Sequence, residues 1–324
     1  MANNNKFEDE EGIKYEEEFV LNSRGMKLFT CRWVPTTTSN TESKGLIFLC
    51  HGYGMDTSVS MKGTGKRLAK AGYEVHGMDY EGHGKSSGLQ GYIPSFDALV
   101  NDCSRHYKSI ADRKENLKKM RILLGESMGG AVELLLHRIM PNFWDAAVLV
   151  APMCKIADDM KPNPFVIKVL TILCNIIPTW KITPIPDIID IAFRNPEIRK
   201  EVRSNPNCYK GRPRLLTGNQ LLNVSLDLEK RLNEVSLPFL VVHGDADKVT
   251  DPAISKLLYE SASSTDKTFK LYPGMWHDLI YGELPENIDI VFSDVIAWLD
   301  DRVVAENERM EREQKLANDE VYIK

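Results

Sequence analysis

Residues 121–131, Arg121-Ile122-Leu123-Leu124-Gly125-Glu126-Ser127-Met128-Gly129-Gly130-Ala131, read as a short apolar run, a serine between glycines and the start of a helix. RILLG (121–125) has the length and continuous apolarity of a strand buried on both faces, and 128–140 carries helical spacing. Between them lies a G-x-S-x-G sequence, 125–129. Its glycines permit a strained strand-to-helix turn that lifts the serine hydroxyl above a sheet, with a helix N-terminus beneath it. The bare string also fits a glycine-rich structural turn, and it is the strand before and the helix after that favour the strained one.

Outward from this point, short apolar runs alternate with helical patterns. They are LIFLC (46–50), a helix near 58–71, YEVHGMD (73–79), a long helix near 96–118, RILLG itself, the helix 128–140 and AAVLVAP (146–152). Such alternation predicts βαβ units and a mostly parallel central sheet with helices on both faces. Upstream, 14–34 reads as a β-hairpin turning at 22–25, followed by a polar linker, PTTTSNTESKG (35–45). The pattern breaks over 153–237, which is proline-rich, has apolar helical pieces and offers no convincing strand; PFLVVHGDAD (238–247) and KTFKLYP (267–273) then resume the sheet. The expected organisation is one discontinuous α/β core, 1–152 and 238–304, with 153–237 as a helical cap over the carboxyl edge of the sheet, where open α/β sheets bind ligands. Residues 305–324 read as a charged tail, either a frayed helix or disordered.

Composition narrows the function classes. Among 324 residues, 43% are hydrophobic and 27% charged, ordinary globular usage. A net charge of −5, without a dense Lys/Arg run, argues against nucleic acid as a partner. The acidic N-terminus MANNNKFEDEEG has no apolar stretch, which predicts a cytoplasmic protein. Cysteines 31, 50, 103, 154, 174 and 208 are scattered, without CxxC or metal-like spacing, and read as reduced thiols; neither a metal nor a cofactor is expected. The longest apolar stretch, Phe165 to Ile177, falls short of the ~20 residues needed to span a bilayer and contains Lys168. It can face an alkyl chain, lie on a lipid surface or form the core of the cap.

A serine hydroxyl is a weak nucleophile and needs a base held by a third group. A serine on such a turn takes its partners in the chain order Ser, Asp/Glu, His, and of the seven histidines only His277 follows the HGDAD strand end. His76, His106 and His137 fall inside predicted strands or helices and read as packed or solvated. For the acid, pattern alone leaves Asp245 and Asp247 nearly equal, while Asp251 before Pro252 reads as a helix N-cap. The oxyanion needs two backbone N–H donors. Met128, just after the serine, supplies one, and His51-Gly52-Tyr53-Gly54, after the first strand of the parallel run, supplies the other, with Tyr53 as the candidate. An ordinary tight βα turn is the alternative for this segment.

HGYG, EGHGKSSG, GESMGGA, HGDADKVT and the final Trp276-His277, in this order over about 45 to 280, resemble the monoacylglycerol lipase family of α/β-hydrolases. GESMGG, HGYG and NPNCYKG look most like its plant branch, which includes monoacylglycerol lipases, lysophospholipases and caffeoylshikimate esterases. The resemblance implies an α/β-hydrolase fold and a triad of Ser127, Asp247 and His277, because the family's acid is the second aspartate of HGxxDxV. It also implies Tyr53 and Met128 as oxyanion donors, a cap that forms an acyl tunnel, and an ester or lipid substrate. Asp245 becomes a loop-shaping residue. Glu126 stands where the animal enzymes commonly have histidine, and reads as a solvated or salt-bridged side chain, with tuning of the reactivity of Ser127 by its charge as the alternative. His51 reads as a brace of the oxyanion loop and Gly82-His83-Gly84 as a structural turn. Transient contact of the cap with a membrane surface is a further expectation; no partner protein can be inferred. An acyltransferase, or a non-catalytic receptor on the same fold, are the readings from other classes.

Overall fold

The computed structural model describes residues 7–10, 12–36, 43–155, 163–181 and 187–322. Within them one sheet holds β1 (Phe7–Glu10), β2 (Ile13–Leu21), β3 (Lys27–Pro35), β4 (Gly45–Cys50), β5 (Glu74–Met78), β6 (Met120–Glu126), β7 (Ala146–Val150), β8 (Phe239–Gly244) and β9 (Lys267–Tyr272). Their order is β1-β2-β3-β5-β4-β6-β7-β8-β9. The first three strands and the β3–β5 pair run antiparallel, and every pairing from β5 to β9 is parallel. The hairpin predicted at 14–34 is β2–β3, closed by Asn22 N donating to Met26 O at 3.0 Å. Strand β1 was not foreseen: FEDE has little strand character of its own and pairs along the edge that β2 leaves open. Of the polar linker expected at 35–45, residues 37–42 lie outside the described part, as do residues 1–6 and 11 of the acidic N-terminus.

Every residue of β4, β5, β7 and β8 is buried, which is why these runs lack a two-residue alternation. Successive side chains of β4 feed opposite cores. Leu46 and Phe48 join a cluster with α2 (Phe96–Ala111) and α3 (Met128–Ile139), while Ile47 and Leu49 join one with α1 (Lys62–Lys70) and the C-terminal helix.

Between β7 and β8 the described residues form four helices, α4 (Pro164–Cys174), α5 (Ile188–Ala192), α6 (Pro196–Ser204) and α7 (Leu215–Glu229). Helix α4 packs on α7, and α7 in turn touches α2 and α3. Leu228, Leu232, Val235 and Leu237 belong to the main core, so the end of this insertion is seated in the α/β body. Helix α8 (Pro252–Ser261) is capped by Asp251, whose Oδ1 accepts from Ala253 N at 2.8 Å. Helix α9 (Pro285–Tyr322) does not stop near 304 but takes in the charged segment after it. Arg309 spaced three and four residues from Glu306 and Glu313 supports that extension on an exposed surface. No helix among the described residues is long and apolar enough to cross a membrane.

Candidate active site

Ser127 sits between β6 and α3 at φ 54° and ψ −115°, a left-handed conformation that costs a non-glycine residue about 1–3 kcal/mol. Its surroundings hold it there. Ser127 N donates to Val150 O at 2.9 Å, and its carbonyl accepts from Gly130 N at 3.0 Å and Met153 N at 2.8 Å. The glycines explain the close approach: a Cβ on Gly129 would lie 1.9 Å from Cys50 O, and one on Gly125 would lie 2.7 Å from the backbone of Gly129. Ser127 is thus presented above the carboxyl ends of β4 and β6. Among the described contacts no hydrogen bond reaches its Oγ, and such contacts are commonly long before a substrate arrives.

Asp247 lies in the loop after β8 and His277 in the loop after β9. The two loops are locked together, with Ala246 N donating to Met275 O at 3.0 Å and no room for a side chain at Gly244, where a Cβ would fall 2.3 Å from Met275 O. His277 Nδ1 meets Asp247 Oδ2 at 2.7 Å. With its Nδ1 proton donated there, the ring keeps Nε2 as its acceptor. The buried Asp247 carboxylate also accepts from His243 Nε2 at 2.8 Å, Thr250 Oγ1 at 2.8 Å and Val249 N at 2.6 Å. Burial alone would raise its pKa, but the attraction of His277 and hydrogen bonds from His243 and His277 outweigh that and hold it far below the usual carboxylate range. Asp245 is exposed and accepts from Gly274 N, tying down the loop that carries the imidazole. His243 was not singled out in the sequence. Its other ring nitrogen accepts from Ser255 Oγ at 2.7 Å, so it aims the buried aspartate from below, and no spacing rule marks such a residue.

The loop after β4 approaches the serine from the other side: a Cβ on Gly52 would be 3.7 Å from Ser127 Cβ. Among the described residues the Tyr53 amide has no backbone acceptor, and the Met128 amide belongs to the first turn of α3, whose N–H groups have no partner within the helix. His51 Nδ1 donates to Gly52 O at 2.8 Å and Nε2 accepts from Tyr80 N at 3.3 Å. Burial and the neighbouring His83 push its pKa down to about 3, so it stays neutral and braces the loop. Gly82 and Gly84 both have positive φ, and His83 between them packs edge-on to Tyr53. His76 is buried against Glu74 at 3.0 Å, and His137 accepts from Ser236 N at 3.1 Å; neither approaches the site.

Glu126 is neither solvated nor salt-bridged, contrary to expectation. It is 8% exposed and hydrogen-bonded to Asp278, itself 3% exposed. Burial, then the Asp278 charge, raise the Glu126 pKa well above the carboxylate range. The loop after β9 folds back onto the end of β6 and supplies this partner, which residue spacing does not reveal.

These groups open onto a cavity of about 380 Å³ lined by Ser127, His277, Glu126 and Asp278 and, on the insertion side, by Ile188, Ile189 and Phe193. None of the described side chains of 167–169 and 171–177 lines it. Helix α4 packs on α7 through that run, Cys174 buried, and turns Val169, Ile172 and Ile176 to solvent, with Ile176 at 70% exposure and nearby Trp180 at 58%.

A serine on a strained strand-to-helix turn, with a buried aspartate–histidine pair, on a mostly parallel sheet defines a serine hydrolase of the α/β-hydrolase fold. The Hydrolase_4 family, described as serine aminopeptidase, S33, matches residues 41–284, and the chain belongs to it. Caffeoylshikimate esterase of Arabidopsis thaliana is 35% identical over 90% of this chain and 87% of its own. Monoglyceride lipase of Homo sapiens is 30% identical over 90% and 93%, respectively. The crystal structure of a soluble variant of monoglyceride lipase from Saccharomyces cerevisiae, in complex with a substrate analog, matches with a TM-score of 0.74 and 20% identity, covering 93% of this chain and 96% of that one. The chain is a carboxylic-ester hydrolase of the monoglyceride-lipase type, and the Arabidopsis relative agrees with the plant branch read from its motifs.

Proposed function

We propose that this chain cleaves esters through an acyl-enzyme, with Ser127 as nucleophile, His277 as general base, Asp247 as the carboxylate that stabilises the imidazolium, and the amides of Tyr53 and Met128 as oxyanion donors. The observation that carries this reading is the 2.7 Å contact between His277 Nδ1 and Asp247, at the wall of the cavity that Ser127 also lines. His277 Nε2 takes the Ser127 proton as Oγ bonds to the carbonyl carbon. The tetrahedral oxyanion collapses, the alcohol leaves with the proton from His277, and water repeats the sequence to release the acid.

Monoacylglycerol is the proposed ester, ahead of lysophospholipid and caffeoylshikimate. Support comes from the apolar wall built by Met55, Ile188, Ile189, Phe193, Val202 and Val249, against which an acyl chain gains about 0.8 kcal/mol per buried methylene. The insertion 153–237 acts as the cap, its Ile188, Ile189, Phe193 and Val202 forming part of that wall. The outward face of α4 with Trp180 rests on a membrane surface, and the protein is cytoplasmic and peripheral.

The test is labelling by a fluorophosphonate together with kcat/KM for a monoacylglycerol chain-length series against caffeoylshikimate. Efficiency is expected to rise with chain length until the cavity fills, and Ser127→Ala to lose labelling and turnover, the latter on the order of 10⁴-fold or more. A flat series with faster caffeoylshikimate turnover would reverse the substrate ranking; labelling that survives Ser127→Ala would remove the nucleophile assignment.

A further inference from the structure

Glu126 immediately precedes the proposed nucleophile and Asp278 immediately follows the proposed base, and the two carboxyl groups meet at the cavity wall. Two carboxylates in hydrogen-bond contact cannot both be ionised, so one proton lies between them. The surroundings decide which group holds it. Burial raises the Asp278 pKa, but its Oδ1 accepts from Tyr281 N at 2.9 Å and Gly282 N at 3.0 Å, and these amides favour its anion. Glu126 has no such support: among the described residues no hydrogen-bond donor reaches its buried Oε1, and burial and then the negative charges of Asp278 and Asp247 oppose ionisation. Glu126 is therefore the acid that donates and Asp278 the carboxylate that accepts. Among the described residues no lysine or arginine pairs with either group.

We propose that Glu126 and Asp278 are a positioning pair, in which the carboxylic acid of Glu126 hydrogen-bonds the carboxylate of Asp278 and clamps the turn bearing Ser127 to the loop bearing His277. Among the described residues the loop's other hydrogen bonds run to the loop after β8, as from Ala246 N to Met275 O, and to the insertion. Asp278 N donates to Ala192 O in the cap at 3.2 Å, and Gly282 O accepts from Asn195 N at 2.8 Å, so without the pair the His277 loop is fastened to the cap on this side and not to the strand that carries the serine. Reaction requires Ser127 Oγ and His277 Nε2 to come within hydrogen-bond reach, and a misplacement of about 1 Å can cost roughly 10²-fold in rate. The pair does not take part in bond making; it acts through the placement of its neighbours.

The inference rests on the assignment of Ser127 and His277 above, and Ser127→Ala is included so that the two can fail separately. Steady-state kinetics on one monoacylglycerol are measured for wild type, Glu126→Gln, Glu126→Leu and Asp278→Ala, each checked for a cooperative thermal transition. Glutamine keeps the donor, so Glu126→Gln should retain kcat within about threefold, whereas Glu126→Leu should lose about 10- to 100-fold in kcat with KM nearly unchanged. Asp278→Ala, which removes the acceptor from the other side, should match the leucine variant and decides the matter if that variant does not fold. The proposal is overturned if a folded removal variant keeps wild-type kcat, or if Glu126→Gln is as slow as Glu126→Leu. Turnover that persists in Ser127→Ala would instead overturn the nucleophile assignment on which the pair depends.

Discussion

Glu133 offers a quantitative test of the core beneath the serine. It lies on α3, is 1% exposed, and neither carboxyl oxygen has a hydrogen-bond partner among the described residues. Burial alone raises its pKa well above the ordinary value. The folded protein therefore keeps a proton that the unfolded chain releases above about pH 4.3, so the folded state binds more protons and stability falls as pH rises. Each pH unit between that point and the raised folded value costs about 1.4 kcal/mol. Glutamine has nearly the same shape and is neutral at every pH, so Glu133→Gln removes this slope while leaving other titrating groups common to both proteins. Urea unfolding of the two proteins at pH 5, 6 and 7 should show the variant gaining on wild type as pH rises, by up to about 1.4 kcal/mol per pH unit below the raised folded value. A gap that is constant with pH, or that narrows as pH rises, would refute a buried, neutral Glu133.

Gly129→Ala should lower the thermal midpoint and reduce fluorophosphonate labelling on the order of 10²-fold, because the added Cβ meets Cys50 O; labelling at the wild-type rate would show that the turn relaxes without moving Ser127. Asp247→Asn should reduce kcat by roughly 10⁴-fold, since an amide neither stabilises the imidazolium nor favours the correct tautomer, whereas Asp245→Asn at its exposed site should cost far less; a reversed order in kcat would exchange their roles. Ile176→Ser combined with Trp180→Ser should weaken cosedimentation with phosphatidylcholine vesicles while leaving hydrolysis of a short, soluble ester unchanged. Unaltered vesicle binding would place the lipid contact elsewhere.

What could be read from the sequence is what short-range covalent geometry controls. The turn around Ser127 follows from glycines at 125, 129 and 130, and the buried strands follow from unbroken apolar runs such as LIFLC. The Asp251 cap was legible for the same reason. What escaped depends on how distant segments meet. Glu126 looked solvated because nothing local announces that the loop 277–282 folds onto it, and His243 beneath Asp247 is visible only once β8 and α8 are packed. The apolar run 165–177 showed that it must be covered or used, but periodicity does not say by what: it lies on α7 and leaves one side bare. The helix beyond 304 was ambiguous because charged residues at helical spacing suit both an exposed helix and a disordered tail.

The separation of α4 from the cavity wall bears on how such a protein can diverge. On the insertion side the cavity is lined from α5, α6 and the 209–213 loop, whereas the solvent-facing Val169, Ile172 and Ile176 do not line it. Selection can therefore rewrite the outer side of the insertion without altering the cavity wall. It can equally reshape the chamber from 187 to 213 to admit a different ester while the outer side stays as it is. A lineage built on this insertion has two independently heritable traits where a single helix serving both purposes would have tied them together.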